Sequence, residues 1–324
     1  MEAQPRRARL TPLAKINLTL EVLHRRSDGF HELRTVFQTV SLADILEIEL
    51  TPARRTSVNI ECGVDIGGDI KDNLVVRAAH AVLDAMRVRA RVNFRLIKRI
   101  PMGAGLGGGS SDAAAVLLAL PVLAGRVLPM EHLGELAAAL GSDVPFFLTG
   151  GAALGLGRGT EIYPLPGPPQ APALLVHSGI HVSTAEAYEA LARPLTCPEP
   201  SHKINSSRLM ALSLAGGVSV EGWARFCKND FEPVVFQRQA SLKSLKRRLQ
   251  SLGAVPAMMT GSGSAMFGIF PSRAGRDQAG AAFQKESVFA VSLVGRSRYQ
   301  ALWWRQLREH IADKLWPPQS RYAE

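Results

Sequence analysis

The run Pro101-Met102-Gly103-Ala104-Gly105-Leu106-Gly107-Gly108-Gly109-Ser110-Ser111 holds the residue types that phosphate chemistry needs. Five of the seven positions from Gly103 to Gly109 are glycine, so backbone N–H groups can approach an anion closely and adopt left-handed φ without penalty. The apolar stretch 113–120 follows and predicts a helix that opens near Ser110 and meets its first breaker at Pro121. The first amides of such a helix have no intrahelical partner and lie at the positive end of its dipole. Glycines and helix start together make a cradle for phosphate. A flexible linker of the same composition would not sit directly between the strand-like segment 92–96 and a helix.

Two familiar phosphate motifs fit poorly. Gly103, Gly105 and Gly108 satisfy the dinucleotide pattern, but no acidic residue ending a second strand follows at the expected spacing of about 20 residues. A P-loop needs a lysine after its glycines, where this chain has Ser110 and Ser111. Cationic help for a nucleotide triphosphate must therefore come from elsewhere. Alternation along 15–20 sets Ile16, Leu18 and Leu20 on one strand face and Lys15, Asn17 and Thr19 on the other. Lys15 is then either an ordinary solvent-facing lysine or a site cation with Asn17 beside it. Asp143, in Leu140-Gly141-Ser142-Asp143-Val144-Pro145-Phe146-Phe147, has the same ambiguity. Gly-Ser-Asp is common turn chemistry, yet the apolar residues that follow put the carboxylate at a core edge, where it is a candidate base.

These segments resemble the motifs of the GHMP kinases, in the family's order. The glycine run is similar to the family's phosphate loop; Pro12-Leu13-Ala14-Lys15-Ile16-Asn17-Leu18 resembles its N-terminal motif, and Met259-Thr260-Gly261-Ser262-Gly263-Ser264-Ala265-Met266-Phe267-Gly268 its C-terminal one. Arg26-Ser27-Asp28-Gly29-Phe30-His31, Asp72-Asn73-Leu74 and the Asp143 segment resemble one branch of the family. That branch transfers phosphate from ATP to the 2-hydroxyl of 4-diphosphocytidyl-2-C-methyl-D-erythritol, in the non-mevalonate isoprenoid pathway. The resemblance spans about residues 10–295. It implies Lys15 and Asp143 as the catalytic pair, with ATP held by residues 101–111 and Asn73. It also implies substrate contacts from Asn17, Phe30, His31 and Thr184, the aromatic stacking on cytosine and the histidine hydrogen-bonding it. Phe30 stands where tyrosine is usual, which keeps stacking and loses the phenol. A cap role for Thr184 stays open. No carboxylate cluster suggests a resident metal, so Mg²⁺ is expected to arrive with ATP.

The implied fold is α+β and two-lobed. Residues 1–163 would form a lobe like ribosomal protein S5 domain 2, and 172–295 a second α+β lobe with an antiparallel sheet, with ligands in the cleft between. Residue patterns agree with such a division. Period-2 segments fill 15–50, Asp72 or Asn73 can cap a helix carrying Leu74, Ala78, Val82 and Met86, and the proline-rich 163–172 reads as a linker. Ser183-Thr184-Ala185-Glu186 is a capping-box signature. Gly261-Ser262-Gly263-Ser264 reads as a turn brought against the phosphate loop, or as a direct ligand contact.

With 324 residues, 46% of them hydrophobic, the chain can bury the cores of two domains. Cys62, Cys197 and Cys227 are too few for a disulfide framework or zinc site, which favours a reducing cytoplasm. Neither a secretory h-region nor a membrane span is expected. The net charge of +10 suits polyphosphate substrates or nucleic acid equally well and does not decide between them. A non-enzymatic nucleic-acid binder, and a mevalonate- or homoserine-type kinase, therefore stand as alternatives. The kinase reading needs a small-molecule substrate and no nucleic acid.

Residues 296–324 extend past the expected family end. Tyr299, Trp303, Leu307, Ile311 and Leu315 recur at helical spacing before Pro317. This amphipathic helical tail is expected to pack on the second lobe, with a homodimer contact or a membrane surface as alternatives.

Overall fold

The computed structural model describes residues 4–64, 69–191 and 206–323. Its strands form three sheets. In the first, the order is Arg6–Leu10, Ile45–Pro52, Ala90–Ile97 and Ser57–Cys62, antiparallel except for the final pair. The second sheet centres on two long strands, Leu13–Arg25 and His31–Ala43, continued by Ala152–Gly157 and Glu161–Leu165. The third is wholly antiparallel, in the order Ala257–Met259, Met266–Ile269, Pro172–His177 and Ser287–Ser292. Residues Lys228–Asn229 add to the second sheet in parallel beside Thr19 and Leu20, so one sheet takes strands from both sides of the proline-rich passage.

Hydrophobic burial explains which helices form. The helix Leu74–Ala85 is capped by Asn73, whose side chain accepts from the Val75 amide, and it buries Val75, Ala78, Val82 and Leu83. It packs on the helix Gly108–Ala124, in which every side chain from Ser111 to Leu123 is buried. That helix does not end at Pro121 as expected. Proline here sits in the last turn, where it removes a single hydrogen bond, and the surrounding core carries the helix on to Gly125, which stops it at φ +73°.

The tail also differs from expectation. Its helix is only Arg296–Gln306, and Leu315 is exposed. Tyr299, Trp303 and Leu307 are buried against the first lobe, in one core with Phe146, Phe147, Leu117 and Leu10, and not against the second lobe. The helical spacing runs on past the helix because Ile311 and Trp316 reach the same core from non-helical chain. This face is thus covered by the protein's own core. Among the described residues no helix is long and apolar enough to cross a membrane. Cys62 and Cys227 are free thiols; Cys197 lies outside the described residues.

Candidate active site

Two clefts meet at the glycine loop. The larger, about 970 Å³, runs between the lobes and is lined by Lys15, Asn17, Phe30, His31, Asp143, Thr184 and Tyr188 among others. The smaller, about 430 Å³, is lined by Asn73, Lys98, Asp112 and the loop from Pro101 to Ser110. Gly103, Gly105 and Ser110 line both. Ser110 is thus a cleft-lining residue. Ser111 is not: it is 2% exposed and lines neither cleft, because its position in the first helical turn points it into the core.

The loop owes its shape to close backbone contact. The Lys15 amide donates to the Leu106 carbonyl at 3.0 Å, tying the loop to the strand Leu13–Arg25. From the other side the turn after Met259 presses in. The Ala265 amide donates to the Ala104 carbonyl at 3.2 Å, and Thr260 Oγ1 donates to the Gly105 carbonyl at 3.3 Å. Gly105 has φ +77°, and a Cβ there would collide with the Thr260 carbonyl; a Cβ on Gly261 would stand 2.9 Å from Gly105 Cα. The turn therefore packs against the loop, the first of its two sequence readings.

Lys15 and Asp143 come together from distant parts of the chain. Lys15 is 3% exposed, its Nζ 2.8 Å from Asn17 Oδ1 and 3.2 Å from Asp143 Oδ2. The Lys15 ammonium also faces the Phe37 ring at 5.5 Å. Asp143 occupies the N-cap position of the short helix Val144–Thr149, yet its side chain makes no cap bond. That leaves its carboxylate, 32% exposed, to the lysine and the cleft.

Asn17 lines the same cleft. It is 2% exposed, and its polar atoms are spent on protein. Its Oδ1 accepts from Lys15 Nζ and, at 3.0 Å, from the Gly261 amide; its Nδ2 donates to Thr35 Oγ1 at 2.7 Å. It joins Lys15 to the second-lobe turn. Thr184 keeps its place on the cleft, hydrogen-bonded to Ser262 at 2.8 Å.

At the far rim His31 stacks on Tyr188, ring centroids 4.7 Å apart, and Tyr188 meets Phe231 edge-on. Burial, with Arg25 and His24 adding, holds the His31 imidazole below its ordinary range and favours its neutral form. Burial and then the Asp143 charge push the Tyr188 phenol up. Phe30 is half-exposed beneath the Arg158 guanidinium, which lies 3.5 Å from the ring centroid. Arg158 has a buried Nε with no hydrogen-bond partner and lines the larger cleft. Sequence reasoning missed it, and only its glycine-flanked turn, Gly157-Arg158-Gly159, hinted at a special position.

Also unforeseen is a buried cluster under the smaller cleft. Lys98 Nζ pairs with Asp44 and, at 2.8 Å, with Asp112 Oδ2. Asp44 Oδ1 accepts from the Ile100 amide at 2.8 Å, leading the chain into the loop. Burial, opposed by Lys98 and reinforced by Asp44, pushes the Asp112 carboxyl up to about 7. Among the described residues no group of acidic, histidine or cysteine side chains could cage a metal.

Comparisons agree with this geometry. The GHMP kinases N terminal domain matches residues 73–151, and the GHMP kinases C terminal model matches 218–288. A 4-diphosphocytidyl-2-C-methyl-D-erythritol kinase of Solibacter usitatus (strain Ellin6076) is 53% identical over 321 residues, 98% of each chain. One from Caldanaerobacter subterraneus subsp. tengcongensis is 37% identical, over 81% of this chain and 88% of its own. A crystal structure of 4-(cytidine 5'-diphospho)-2C-methyl-D-erythritol kinase superposes with a TM-score of 0.72 at 36% identity, covering 89% of this chain and 99% of that one. Homoserine kinase from Cytophaga hutchinsonii shares the fold, with a TM-score of 0.67 at 20% identity over 90% of this chain and 95% of its own. The chain belongs to the GHMP kinase family, in the group of the 4-diphosphocytidyl-2-C-methyl-D-erythritol kinases.

Proposed function

We propose that the chain transfers the γ-phosphate of ATP to the 2-hydroxyl of 4-diphosphocytidyl-2-C-methyl-D-erythritol. One observation carries the reading: the Lys15–Asp143 pair stands in the inter-lobe cleft beside the glycine loop that this cleft shares with the smaller one. ATP enters the smaller cleft, with Asn73 and residues 101–110 around it and its phosphates at the positive start of the helix Gly108–Ala124. The cytidylyl alcohol takes the larger cleft, its base toward Phe30, His31 and Tyr188, with Thr184 on the wall.

Asp143 takes the proton from the attacking hydroxyl as the new O–P bond forms. Lys15 holds Asp143 and the hydroxyl in line and meets the charge that builds on the transferred group. The bond between the β- and γ-phosphates breaks, and ADP leaves with its electron pair. Asn17 fixes Lys15. Mg²⁺ fits as a companion of ATP: Ser110 and Asp143 offer oxygen donors beside the loop, no acidic cage stands among the described residues, and the ion would neutralise phosphate charge when bound. Residues 1–163 serve as the nucleotide lobe and 172–295 close the alcohol side. A cytoplasmic setting, with ATP at hand and thiols reduced, suits the free Cys62 and Cys227.

A coupled assay of ADP release against a panel of alcohols tests the reading. Turnover with the cytidylyl substrate and not with mevalonate or homoserine is expected. Preferred turnover of either of those would replace it, and flat release with salt-dependent RNA binding would favour the nucleic-acid alternative.

A further inference from the structure

The two helices that form the site each point one end at the clefts and the other at the tail. The helix Gly108–Ala124 starts at the glycine loop; the helix Val144–Thr149 starts at Asp143. The last carbonyls of a helix have no intrahelical donor. At the far end of Val144–Thr149, Tyr299 Oη donates to the Phe147 carbonyl at 2.5 Å and Trp316 Nε1 donates to the Leu148 carbonyl at 3.0 Å. At the far end of Gly108–Ala124, Ser320 Oγ donates to the Val122 carbonyl at 2.7 Å. Arg6 donates to the Leu123 carbonyl at 2.6 Å, under the Tyr322 ring at 3.9 Å. One segment thus supplies donors to both.

The fit behind Asp143 is tight. Gly150, φ +59°, follows the short helix, and a Cβ there would stand 2.5 Å from the Tyr299 ring. A Cβ on Gly151 would lie 2.8 Å from the Arg296 backbone nitrogen. Arg296 Nη2 donates to the Ala152 carbonyl at 2.7 Å, and Tyr299, Trp303 and Trp316 pack with ring centroids 6.2–6.4 Å apart. A six-residue helix cannot hold its own position. Its placement, and with it the reach of Asp143 to Lys15, is set by what it packs against.

We propose that the tail, through Tyr299 and Trp316, is a positioning element for phosphoryl transfer: it fixes the helix that presents Asp143. Tyr299 and Trp316 are positioning residues and touch no substrate. The inference rests on the catalytic role proposed for Asp143.

Tyr299→Phe keeps the ring packing and removes one donor; Trp316→Phe removes the other but also trims the indole, so the single Tyr299→Phe variant separates the hydrogen bond from loss of the core. Assayed well below the melting temperature, the pair of substitutions is expected to lower kcat about tenfold, the scale on which small misplacements act. KM for ATP and for the cytidylyl alcohol should stay within about twofold. A double-mutant cycle then isolates the route. In an Asp143→Asn background the two substitutions should lower residual turnover no further. Unchanged kcat in Tyr299→Phe/Trp316→Phe, or an equal loss with and without the Asp143 carboxylate, would overturn the inference. Full activity of Asp143→Asn alone would instead remove the catalytic role on which it stands.

Discussion

The two ends of the larger cleft are built by different means. At the loop end the shape is made of backbone: Gly105 against Thr260 and Gly261, Leu106 against Lys15, Ala104 against Ala265. Side chains there, such as Asn17, have their polar groups satisfied within the protein. At the rim the surface is made of side chains, Phe30 half-exposed, Arg158 stacked on it with an unpaired Nε, His31 on Tyr188. The backbone end leaves almost no room for substitution, which suits a nucleotide that never varies. The rim is made of side chains that single substitutions can change, which suits the proposed contact with the group that distinguishes one alcohol from another. The Lys15–Asp143 pair, proposed as catalytic, sits where the rigid end meets the side-chain rim.

Of the substitutions that probe this contrast, Gly105→Ala does the most damage. It forces a side chain into φ +77° and against the Thr260 carbonyl, and calorimetry should find nucleotide affinity lowered by about a hundredfold or more. Unchanged affinity in the folded variant would move the phosphates elsewhere. Arg158→Ala should act less and differently. We expect KM for the cytidylyl alcohol to rise about tenfold while KM for ATP holds, since a stacked cation of this kind contributes about 1–2 kcal/mol. A rise in KM for ATP of the same size would erase the distinction between the ends.

The smallest effect concerns the support beneath the loop. Asp112 is raised from an ordinary carboxyl value to about 7, facing the buried Lys98 and Asp44, so the fold favours its neutral form. Its contribution to stability is fully present below the unfolded carboxyl range and is lost as pH rises through about 7. The wild-type melting temperature should therefore fall by a few degrees from pH 5 to pH 8 relative to that of Asp112→Asn. Parallel curves for the two proteins would refute the assignment.

Much of the backbone end was legible in the sequence. Glycine density, the helix beyond it and the capping Asn73 are local signals, and local signals read well. What joins distant segments was not. Lys15 and Asp143 are adjacent because a strand and a short helix meet across the core, and alternation alone left both residues ambiguous until the family resemblance assigned them. Nor does any spacing announce that Lys98 reaches both Asp44 and Asp112, or that Arg158 lies over Phe30. Alternation put Lys15 and Asn17 on one strand face, but not that both would be buried; the strand bulges between Asn17 and Thr19, and the second-lobe turn covers it. The tail misled for a related reason. Apolar residues at helical spacing mark a buried face, but they name neither the surface that buries it nor where the helix ends.

The catalytic pair is tested most directly by Asp143→Asn, which keeps the shape of the side chain and removes its capacity to take a proton. Turnover of the cytidylyl alcohol, measured by coupled ADP release with ATP affinity followed alongside by calorimetry, should fall by about 10²–10⁴-fold at unchanged ATP affinity. Near-normal turnover in that folded variant would contradict a site built around Lys15 and Asp143.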